Sequence, residues 1–351
     1  MFRRFIGNRI GIVSMACLAG LLLTSFLYFG IGGTIARAAS ISKIIVAKDG
    51  SGNYTTVQAA VNAVPANSSN YYVIYIKNGT YQEVVTVPTN KPHVTFYGQS
   101  EKGTIITYNN YNGKTNPAGG TFGTGTSATV FIEATDFSAY NLTFQNTAGS
   151  VAQAVAINVT GDRAIFDNCQ FLGWQDTLYA HTGRQYYENS YVTGRVDYVF
   201  GDATAAFQYT EFYNVNSSGG TITAQNRASS SETTGYILIN DTIDGALANS
   251  SYLGRPWGAY GRVIVRDSTI GADIRAAGWL NWSTADYSKT AYFAEYNNTG
   301  AGASTSGRIS WAHQLTASQA TAFTVDAFVN KDGWLTTAKS NLATVIAGGF
   351  A

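Results

Sequence analysis

Two carboxylic acids in apolar surroundings are the residues of this sequence best suited to acid–base or nucleophilic chemistry. Asp176 and Asp197 lie 21 residues apart, in the segments Gln-Asp-Thr-Leu-Tyr and Gly-Arg-Val-Asp-Tyr-Val-Phe-Gly. Two carboxyl groups held close together resist ionising at the same pH, so the pKa of one rises and that of the other falls. Such a pair supplies an acid and a nucleophile or base at a single pH.

Two amides and one arginine have spacings that suit the same site. Gln175 precedes Asp176, Gln153 lies 22 residues before Gln175, and Arg255 lies 58 residues after Asp197. An amide donates to a developing oxyanion without adding charge, and a planar guanidinium pairs well with a carboxylate. Taken singly, an Asp or Gln in a repetitive β fold is most often a turn or ladder residue, and an Arg before Pro is most often a surface residue. The combination is what favours catalysis.

A short recurring pattern predicts the elements that bring these residues together. An Asn or similar residue is followed by two variable residues and an apolar one, beginning at Asn141, Asn168, Asn189, Tyr209, Asn240 and Asp267. The intervals are 27, 21, 20, 31 and 27 residues without helical periodicity, which indicates a β-solenoid. Variable intervals fit a right-handed parallel β-helix, in which strands stack at constant phase while loops differ in length. A β-sandwich with chance similarity among its strands is the alternative.

Constant phase has a direct consequence for the two acids. Asp176 lies eight residues after Asn168, and Asp197 lies eight residues after Asn189. Residues one turn apart in a parallel β-helix lie on neighbouring strands, roughly 4.8 Å apart. We therefore expect the two carboxylates to stack on one outer face, with Gln153 about one turn before them.

Helical caps are predicted at both ends of the repetitive region. The segment Tyr54–Val64 has apolar residues at the spacing of an amphipathic helix, with Thr55 or Thr56 as its N-cap. Near the other end, the segment 316–319 has a capping-box pattern before residues 320–328. Helices at the ends would cover strand edges that a solenoid otherwise exposes. The predicted fold is therefore all-β, a parallel β-helix with short helical caps.

The composition fits this fold class. Charged residues make up 12% of the chain, which contains 37 Gly and 23 Tyr, a balance that favours strands and turns over a helical bundle. The hydrophobic fraction of 45% argues against a disordered chain.

The first 38 residues are predicted to be a signal peptide. A basic start precedes a largely apolar run over residues 10–35, and Ala36-Arg37-Ala38 offers a small-x-small cleavage site. An uncleaved membrane anchor is the alternative, because the apolar run is long enough to span a bilayer. Without residues 1–38, 18 basic residues remain against 21 acidic ones, which argues against a nucleic-acid partner. We expect a secreted protein with one domain over 39–351 and no stable membrane association after cleavage. Its one remaining cysteine, Cys169, leaves no internal disulfide.

The motifs around these residues resemble those of the pectin methylesterases (pectinesterases), the carbohydrate esterases that demethylate polygalacturonate. Five motifs match in order: Gly79-Thr-Tyr-Gln-Glu83, Gln153-Ala-Val-Ala156, Gln175-Asp-Thr-Leu178, Gly194-Arg-Val-Asp-Tyr-Val-Phe-Gly201 and Leu253-Gly-Arg-Pro-Trp257. Two later segments, Gly278–Trp282 and Ala294–Asn298, are also similar. The resemblance covers roughly residues 43–335.

The resemblance implies a right-handed parallel β-helix, methylated pectin as substrate, no metal or other cofactor, and a monomer. Carried over by motif, Asp197 would be the nucleophile, Asp176 the general acid/base, and Arg255 the residue that orients Asp197. Gln153 and Gln175 would supply the oxyanion hole. The residues implied to line the sugar cleft are Trp257, Phe200, Tyr179, Val196 and Trp282.

Departures from the family pattern are small, and rival activities lack their own signatures. Tyr198 replaces a commoner Phe, Asn281 stands where plant relatives often have Pro, and the loop 108–125 is hard to align. The sequence has no Gly-x-Ser-x-Gly elbow beside a histidine, no His/Cys zinc cluster, and neither the acidic calcium cluster of pectate lyases nor the Gly-His-Gly of polygalacturonases. His181, near Asp176, is interpreted as a loop residue. A polysaccharide-binding solenoid and an esterase for another ester remain the alternatives.

Overall fold

The strands of this chain form three parallel sheets, which the chain enters in a fixed order as it winds. The computed structural model describes residues 41–215 and 218–348, so the predicted signal peptide lies outside the described residues. The architecture is the predicted right-handed parallel β-helix. None of the helices in the described ranges is long and apolar enough to cross a membrane.

Between residues 71 and 270, each turn of the solenoid passes through sheet 1, then sheet 2, then sheet 3. Sheet 1 contains β1 (Ile41–Val46), β2 (Tyr71–Ile76), β5 (Val94–Gly98), β8 (Ser138–Tyr140), β11 (Ala164–Asp167), β14 (Arg184–Glu188), β17 (Thr204–Gln208), β20 (Gly235–Ile239), β23 (Arg262–Arg266), β25 (Tyr292–Tyr296) and β26 (His313–Gln314). Sheet 2 contains β3 (Gly79–Gln82), β6 (Thr104–Tyr108), β9 (Thr143–Asn146), β12 (Gln170–Leu172), β15 (Tyr191–Gly194), β18 (Glu211–Asn214), β21 (Thr242–Gly245) and β24 (Thr269–Ile270). Sheet 3 contains β4 (Val85–Val87), β7 (Val130–Ile132), β10 (Ile157–Val159), β13 (Leu178–Ala180), β16 (Val196–Gly201), β19 (Gly220–Gln225) and β22 (Ser251–Pro256).

The recurring sequence pattern marks the corner between sheets 1 and 2. All six first residues of the pattern have positive φ, between 49° and 64°, and sit just after a strand of sheet 1. Asn and Asp tolerate this left-handed conformation because their short polar side chains bond locally. Neighbouring asparagines also bond to each other: Nδ2 of Asn168 donates to Oδ1 of Asn141 at 2.9 Å. The chain therefore makes this corner once in each turn of the solenoid with little conformational strain.

The apolar fourth residue of each pattern points into the core. Phe144 pairs with Phe171 in register, and Phe171 pairs in turn with Val192. The Phe144 and Phe171 rings stack with centroids 5.6 Å apart, and both are fully buried. Constant phase therefore produces continuous columns of apolar side chains, as the pattern predicted.

A helix begins where the N-terminal cap was predicted. α1 spans Val57–Ala63, its N-cap Thr56 accepts the amide of Ala59, and its buried face packs against β1, β2 and β4.

The C-terminal segment differs from the prediction. The capping box of Thr316 and Gln319 is present, but it opens only the short helix α2 (Ala317–Ala320), and α3 (Val325–Phe328) is separate. A longer helix, α4 (Trp334–Ala347), was not predicted. It packs on the outer face of sheet 1, where a column of apolar side chains runs between polar ones. The sheet 1 residues in this second core are Ile165, Tyr186, Ala206, Ile237, Ile239, Ile264 and Ala294. The helices thus cover a sheet face rather than only an open end.

One of the six corner residues, Tyr209, is neither Asn nor Asp, and it generates a stability prediction. Tyr209 has φ 55° although its ring is 55% exposed and packs little. A left-handed conformation costs an ordinary residue roughly 1 kcal/mol, and Asn less. We expect Tyr209→Asn to raise the free energy of unfolding by about 1 kcal/mol, measured by urea denaturation. Tyr209→Ala is the control, because it removes the ring without easing the backbone. Equal stabilities for the two variants would contradict this explanation.

Candidate active site

The outer face of sheet 3 brings the two aspartates together. Leu178 of β13 pairs with Val199 of β16, and Gln175 forms a bridge with Val196 one turn away. Asp176 and Asp197 therefore occupy equivalent positions on neighbouring turns, as their phase predicted. They are 8% and 6% exposed, so both carboxyl groups are almost out of contact with water.

Asp197 is held by a local irregularity of its strand. The pairing of β16 with β19 shifts register between Val196 and Val199, which is the signature of a β-bulge. Asp197 lies in the bulge with φ 51°. Gly194, just upstream, must be glycine because a Cβ there would lie 2.2 Å from the Cβ of Tyr198. The bulge turns the Asp197 carboxylate towards the cleft.

The Asp197 carboxylate receives three hydrogen bonds. Nε of Arg255 donates to Oδ1 at 2.9 Å and Nη2 donates to Oδ2 at 2.6 Å, a bidentate ion pair. Oγ1 of Thr221 donates to Oδ1 at 2.5 Å. Charge-assisted and bidentate bonds of this kind are the strong ones, and they stabilise the ionised form of a carboxylate. Asp197 is therefore suited to act as an anion.

Asp176 has the opposite electrostatic environment. Burial in the cleft raises the pKa of Asp176 to about 8, and the negative charge of Asp197 adds to this effect. Arg255 and a hydrogen bond from the Gln175 side chain oppose the rise only in part. At neutral pH a carboxyl group with this pKa holds its proton, and it lies beside the arginine-bound carboxyl group of Asp197.

The two glutamines border the same cleft. Oε1 of Gln153 accepts a hydrogen bond from Nδ2 of Asn112 at 3.1 Å, which leaves the Gln153 NH2 group as the donor available to a ligand. The backbone amide of Asn112 also donates to the backbone carbonyl of Gln153 at 2.9 Å. The Gln175 side chain lines the cleft and lowers the pKa of Asp176, and its NH2 group is a second amide donor at this site.

Aromatic side chains form one wall. Tyr179 and Phe200 stack with centroids 4.1 Å apart, and Trp257 lies 6.0 Å from Phe200. His181 stacks on the other side of Tyr179 at 4.0 Å. Trp282 also borders the cleft, and its ring centroid lies 4.5 Å from the guanidinium carbon of Arg255, so the ring packs against the cation that pairs with Asp197.

The cleft that these residues enclose has a volume of about 330 Å³. Its lining includes nine of the ten residues singled out in the sequence: Gln153, Gln175, Asp176, Tyr179, Asp197, Phe200, Arg255, Trp257 and Trp282. Val196 does not line it. Instead, the backbone carbonyl of Val196 accepts the amide of Asp176 at 3.1 Å, which ties the two turns together.

Several residues at the site were not found from the sequence. Thr124, Gly125 and Ala224 line the cleft, while Thr221 and Asn112 hold its functional groups. Thr221 stands in the alternating strand Gly-Thr-Ile-Thr-Ala-Gln, which marks it as facing outwards but not as a partner of Asp197. The loop containing Asn112 has no periodicity that predicts its position. Within residues 41–215 and 218–348, no cluster of three or more His, Cys, Asp or Glu side chains is arranged to hold a metal ion.

Comparison with known proteins identifies the family. A family model described as Pectinesterase matches residues 43–332. The chain belongs to the pectinesterase family. It is therefore a carboxylic ester hydrolase, as the motifs predicted.

Pectinesterases similar to this chain are found among both sequences and solved structures. Pectinesterase 31 of Arabidopsis thaliana is 42% identical over 84% of this chain and 94% of that protein. The solved pectin methylesterase from carrot is 38% identical with a TM-score of 0.79, covering 84% of this chain and 95% of the other. A pectin methylesterase solved in complex with a hexasaccharide is 28% identical with a TM-score of 0.71, covering 83% and 98%. The chain spans about half the length of some other Arabidopsis thaliana relatives.

The raised pKa of Asp176 predicts how stability depends on pH. Because the pKa of about 8 in the folded protein exceeds the ordinary value of 3.8, folding binds a proton. The stability due to this proton is complete below about pH 4 and is lost as the pH rises through 8. Asp176→Asn does not titrate. We expect the free energy of unfolding of the variant, relative to the parent, to increase by on the order of 3 kcal/mol from pH 5 to pH 8.5.

Urea denaturation at both pH values measures this difference. Asp326→Asn, at an exposed carboxylate of α3, is the control for the chemical change itself. If the parent and Asp176→Asn lose stability in parallel, Asp176 is not protonated in the folded pectinesterase.

Proposed function

We propose that this pectinesterase is secreted and hydrolyses the C6 methyl esters of polygalacturonate, releasing methanol and leaving pectate. The observation that carries the proposal is one cleft in which Asp176, a buried carboxyl group with a raised pKa, lies beside Asp197, which is paired with Arg255. The basic start and apolar run of residues 1–38 support secretion. We further propose that the mature protein is a single domain over residues 39–351 and acts as a monomer.

In the proposed first step, the Asp197 carboxylate attacks the ester carbonyl carbon. The amides of Gln153 and Gln175 donate to the oxyanion, contributing about 3 kcal/mol each if they act like other oxyanion donors. Asp176 gives its proton to the departing methoxide, so methanol leaves and an acyl–aspartyl anhydride remains. A carboxyl group with a pKa of about 8 holds this proton at neutral pH and is well matched to such a transfer.

In the second step, the ionised Asp176 acts as a base. It removes a proton from a water molecule, whose oxygen attacks the acyl carbon of the anhydride. The bond to Asp197 breaks and its electrons return to that carboxylate. The second proton of the water stays on the new galacturonic acid carboxyl group, which ionises in solvent after release, and both aspartates regain their starting states.

The wall of the cleft suits a sugar polymer. Trp257, the most accessible ring of this wall, is an aromatic side chain of the kind that stacks against pyranose rings, while the rings of Tyr179 and Phe200 are stacked on each other behind it. The structural relative that contains a hexasaccharide supports an oligosaccharide as the ligand. We therefore place methylated pectin, rather than a small ester, in the cleft.

Methanol release from highly methylated pectin tests the proposed reaction. Residues 39–351 should release methanol in the presence of EDTA, and Asp197→Asn should lower the rate by roughly three orders of magnitude or more, because the nucleophile is lost. Absorbance of unsaturated uronates is followed in parallel. No methanol from the folded parent would favour a binding solenoid or another ester. Unsaturated product that EDTA abolishes would instead indicate a lyase.

The oxyanion hole has its own test. Gln153→Ala should lower kcat by about 100-fold and change KM little, since the donor acts on charge that develops in the transition state. Gln185→Ala is the control for losing a buried glutamine of the solenoid, because Gln185 bonds only to groups outside the cleft. If the rate of Gln153→Ala stays within a few-fold of the parent rate, Gln153 is not an oxyanion donor.

A further inference from the structure

The hydroxyl of Thr221 contacts Asp197 twice, and the reason lies in the bulge. Val196 pairs with Thr221 and Val199 pairs with Thr223, so two residues of β16 oppose the single residue Ile222. The backbone amide of Asp197 therefore loses a strand partner, and it donates instead to Oγ1 of Thr221 at 3.2 Å. The same Oγ1 lies 2.5 Å from Oδ1 of Asp197.

The direction of the second bond follows from the chemistry of the groups. An ionised carboxylate only accepts hydrogen bonds, so the Thr221 hydroxyl must donate its proton to Oδ1 while its lone pair accepts the amide. One side chain, 3% exposed, thus fixes both the backbone and the carboxylate of Asp197.

The two carboxylate oxygens are consequently unequal. Oδ1 accepts from Thr221 and from Nε of Arg255, while Oδ2 accepts from Nη2 of Arg255 and from no other donor within residues 41–215 and 218–348. A carboxylate oxygen has about two acceptor positions. Both positions on Oδ1 are filled, whereas Oδ2 keeps a free lone pair.

We propose that Thr221 is a positioning residue for the nucleophile and that it makes Oδ2 of Asp197 the attacking oxygen. This inference rests on the proposed function, in which Asp197 attacks the ester. The motifs that carry the family resemblance do not include Thr221.

The proposal assigns each bond of the reaction. Oδ2 bonds to the ester carbon, the C–O bond to methanol breaks, and Oδ1 becomes the carbonyl oxygen of the anhydride. When water attacks the acyl carbon, the bond from that carbon to Oδ2 breaks and negative charge returns to both oxygens. Thr221 and Arg255 already point at Oδ1 and stabilise the returning charge without rearrangement. Thr221 thus assists both steps without touching the substrate.

Three variants test the role of the hydroxyl. Thr221→Val keeps the shape and removes both bonds, and Thr221→Ser keeps both. Thr223→Val is the matched control, because Thr223 is on the same strand, two residues away, and its hydroxyl donates to the Leu253 carbonyl at 2.9 Å instead. Thermal unfolding of each variant establishes that it is folded.

The kinetics of methanol release should separate the variants. We expect Thr221→Val to lower kcat by about 10- to 100-fold, the usual effect of losing a hydrogen bond to a charged group, with KM within about twofold of the parent value. Thr221→Ser should stay within about threefold of the parent kcat, and so should Thr223→Val.

The pH profile distinguishes positioning from a purely structural role. The charged or titratable groups that face Asp197 are Asp176 and Arg255. Loss of the Thr221 donor makes the ionised form of Asp197 less favourable, so the acidic limb of kcat/KM should move to higher pH by about half a unit or more in Thr221→Val. A structural defect would lower kcat/KM at every pH without moving the acidic limb. If Thr223→Val loses any rate, we expect its loss to be of this kind.

The outcomes separate this inference from the proposed function. If a folded Thr221→Val keeps a kcat near that of the parent and its acidic limb does not move, the role proposed for Thr221 is wrong. If Asp197→Asn is inactive in the same experiment, Asp197 remains the proposed nucleophile. Failure of a folded Thr221→Ser to retain activity also overturns it. If Asp197→Asn keeps the parent rate, or the parent releases no methanol, the proposed function itself fails and this inference fails with it.

Discussion

The register between neighbouring turns of sheet 3 is the constraint on which the whole site depends. Because Leu178 pairs with Val199 and Gln175 bridges Val196, Asp176 and Asp197 must lie on adjacent turns. Parallel strands are about 4.8 Å apart, a separation at which two carboxyl groups interact strongly once water is excluded. A slip of one residue would turn one carboxyl group to the other face of the sheet. The fold therefore fixes the spacing of the acids before any side chain is adjusted.

Both acids are buried, but their partners differ. Asp197 receives two hydrogen bonds from Arg255 and one from Thr221, while Gln175 and Arg255 only partly offset the effect of burial on the pKa of Asp176. Removing water penalises a charge that lacks such partners, and a neighbouring negative charge adds to the penalty. The pKa of Asp176 rises accordingly. The functional asymmetry of two identical side chains thus comes from one arginine placed two strands away from Asp197.

The sequence predicted the parts of this structure that repeat. Asp176 and Asp197 lie at equal distances from Asn168 and Asn189 along the chain. This constant phase predicted the solenoid, the columns of apolar side chains in its core and the proximity of the two acids. The left-handed corner was not predicted as such, although the preference for Asn was its signal, and Tyr209 shows that the rule admits an exception. Thr221 was not found because its contact depends on a bulge, which the alternation of a strand does not indicate. The helix α4 was not predicted because it packs on apolar side chains of the outer face of sheet 1, which lie far away in the sequence.

The non-repeating loop 109–123, which precedes a short 3-10 helix (Thr124–Thr126), contributes to the site in a different way from the sheets. Nζ of Lys114 bonds to Oδ1 of both Asn109 and Asn110, which closes the loop on itself, and Asn112 then holds Gln153. The proposed nucleophile and its arginine thus stand on paired strands, whereas one proposed oxyanion donor is oriented from a loop. Loops tolerate insertion and substitution far better than paired strands do. Changes in this loop can therefore reshape the cleft and adjust the Gln153 amide while the register that pairs the acids stays intact, so the choice of substrate can diverge more readily than the chemistry.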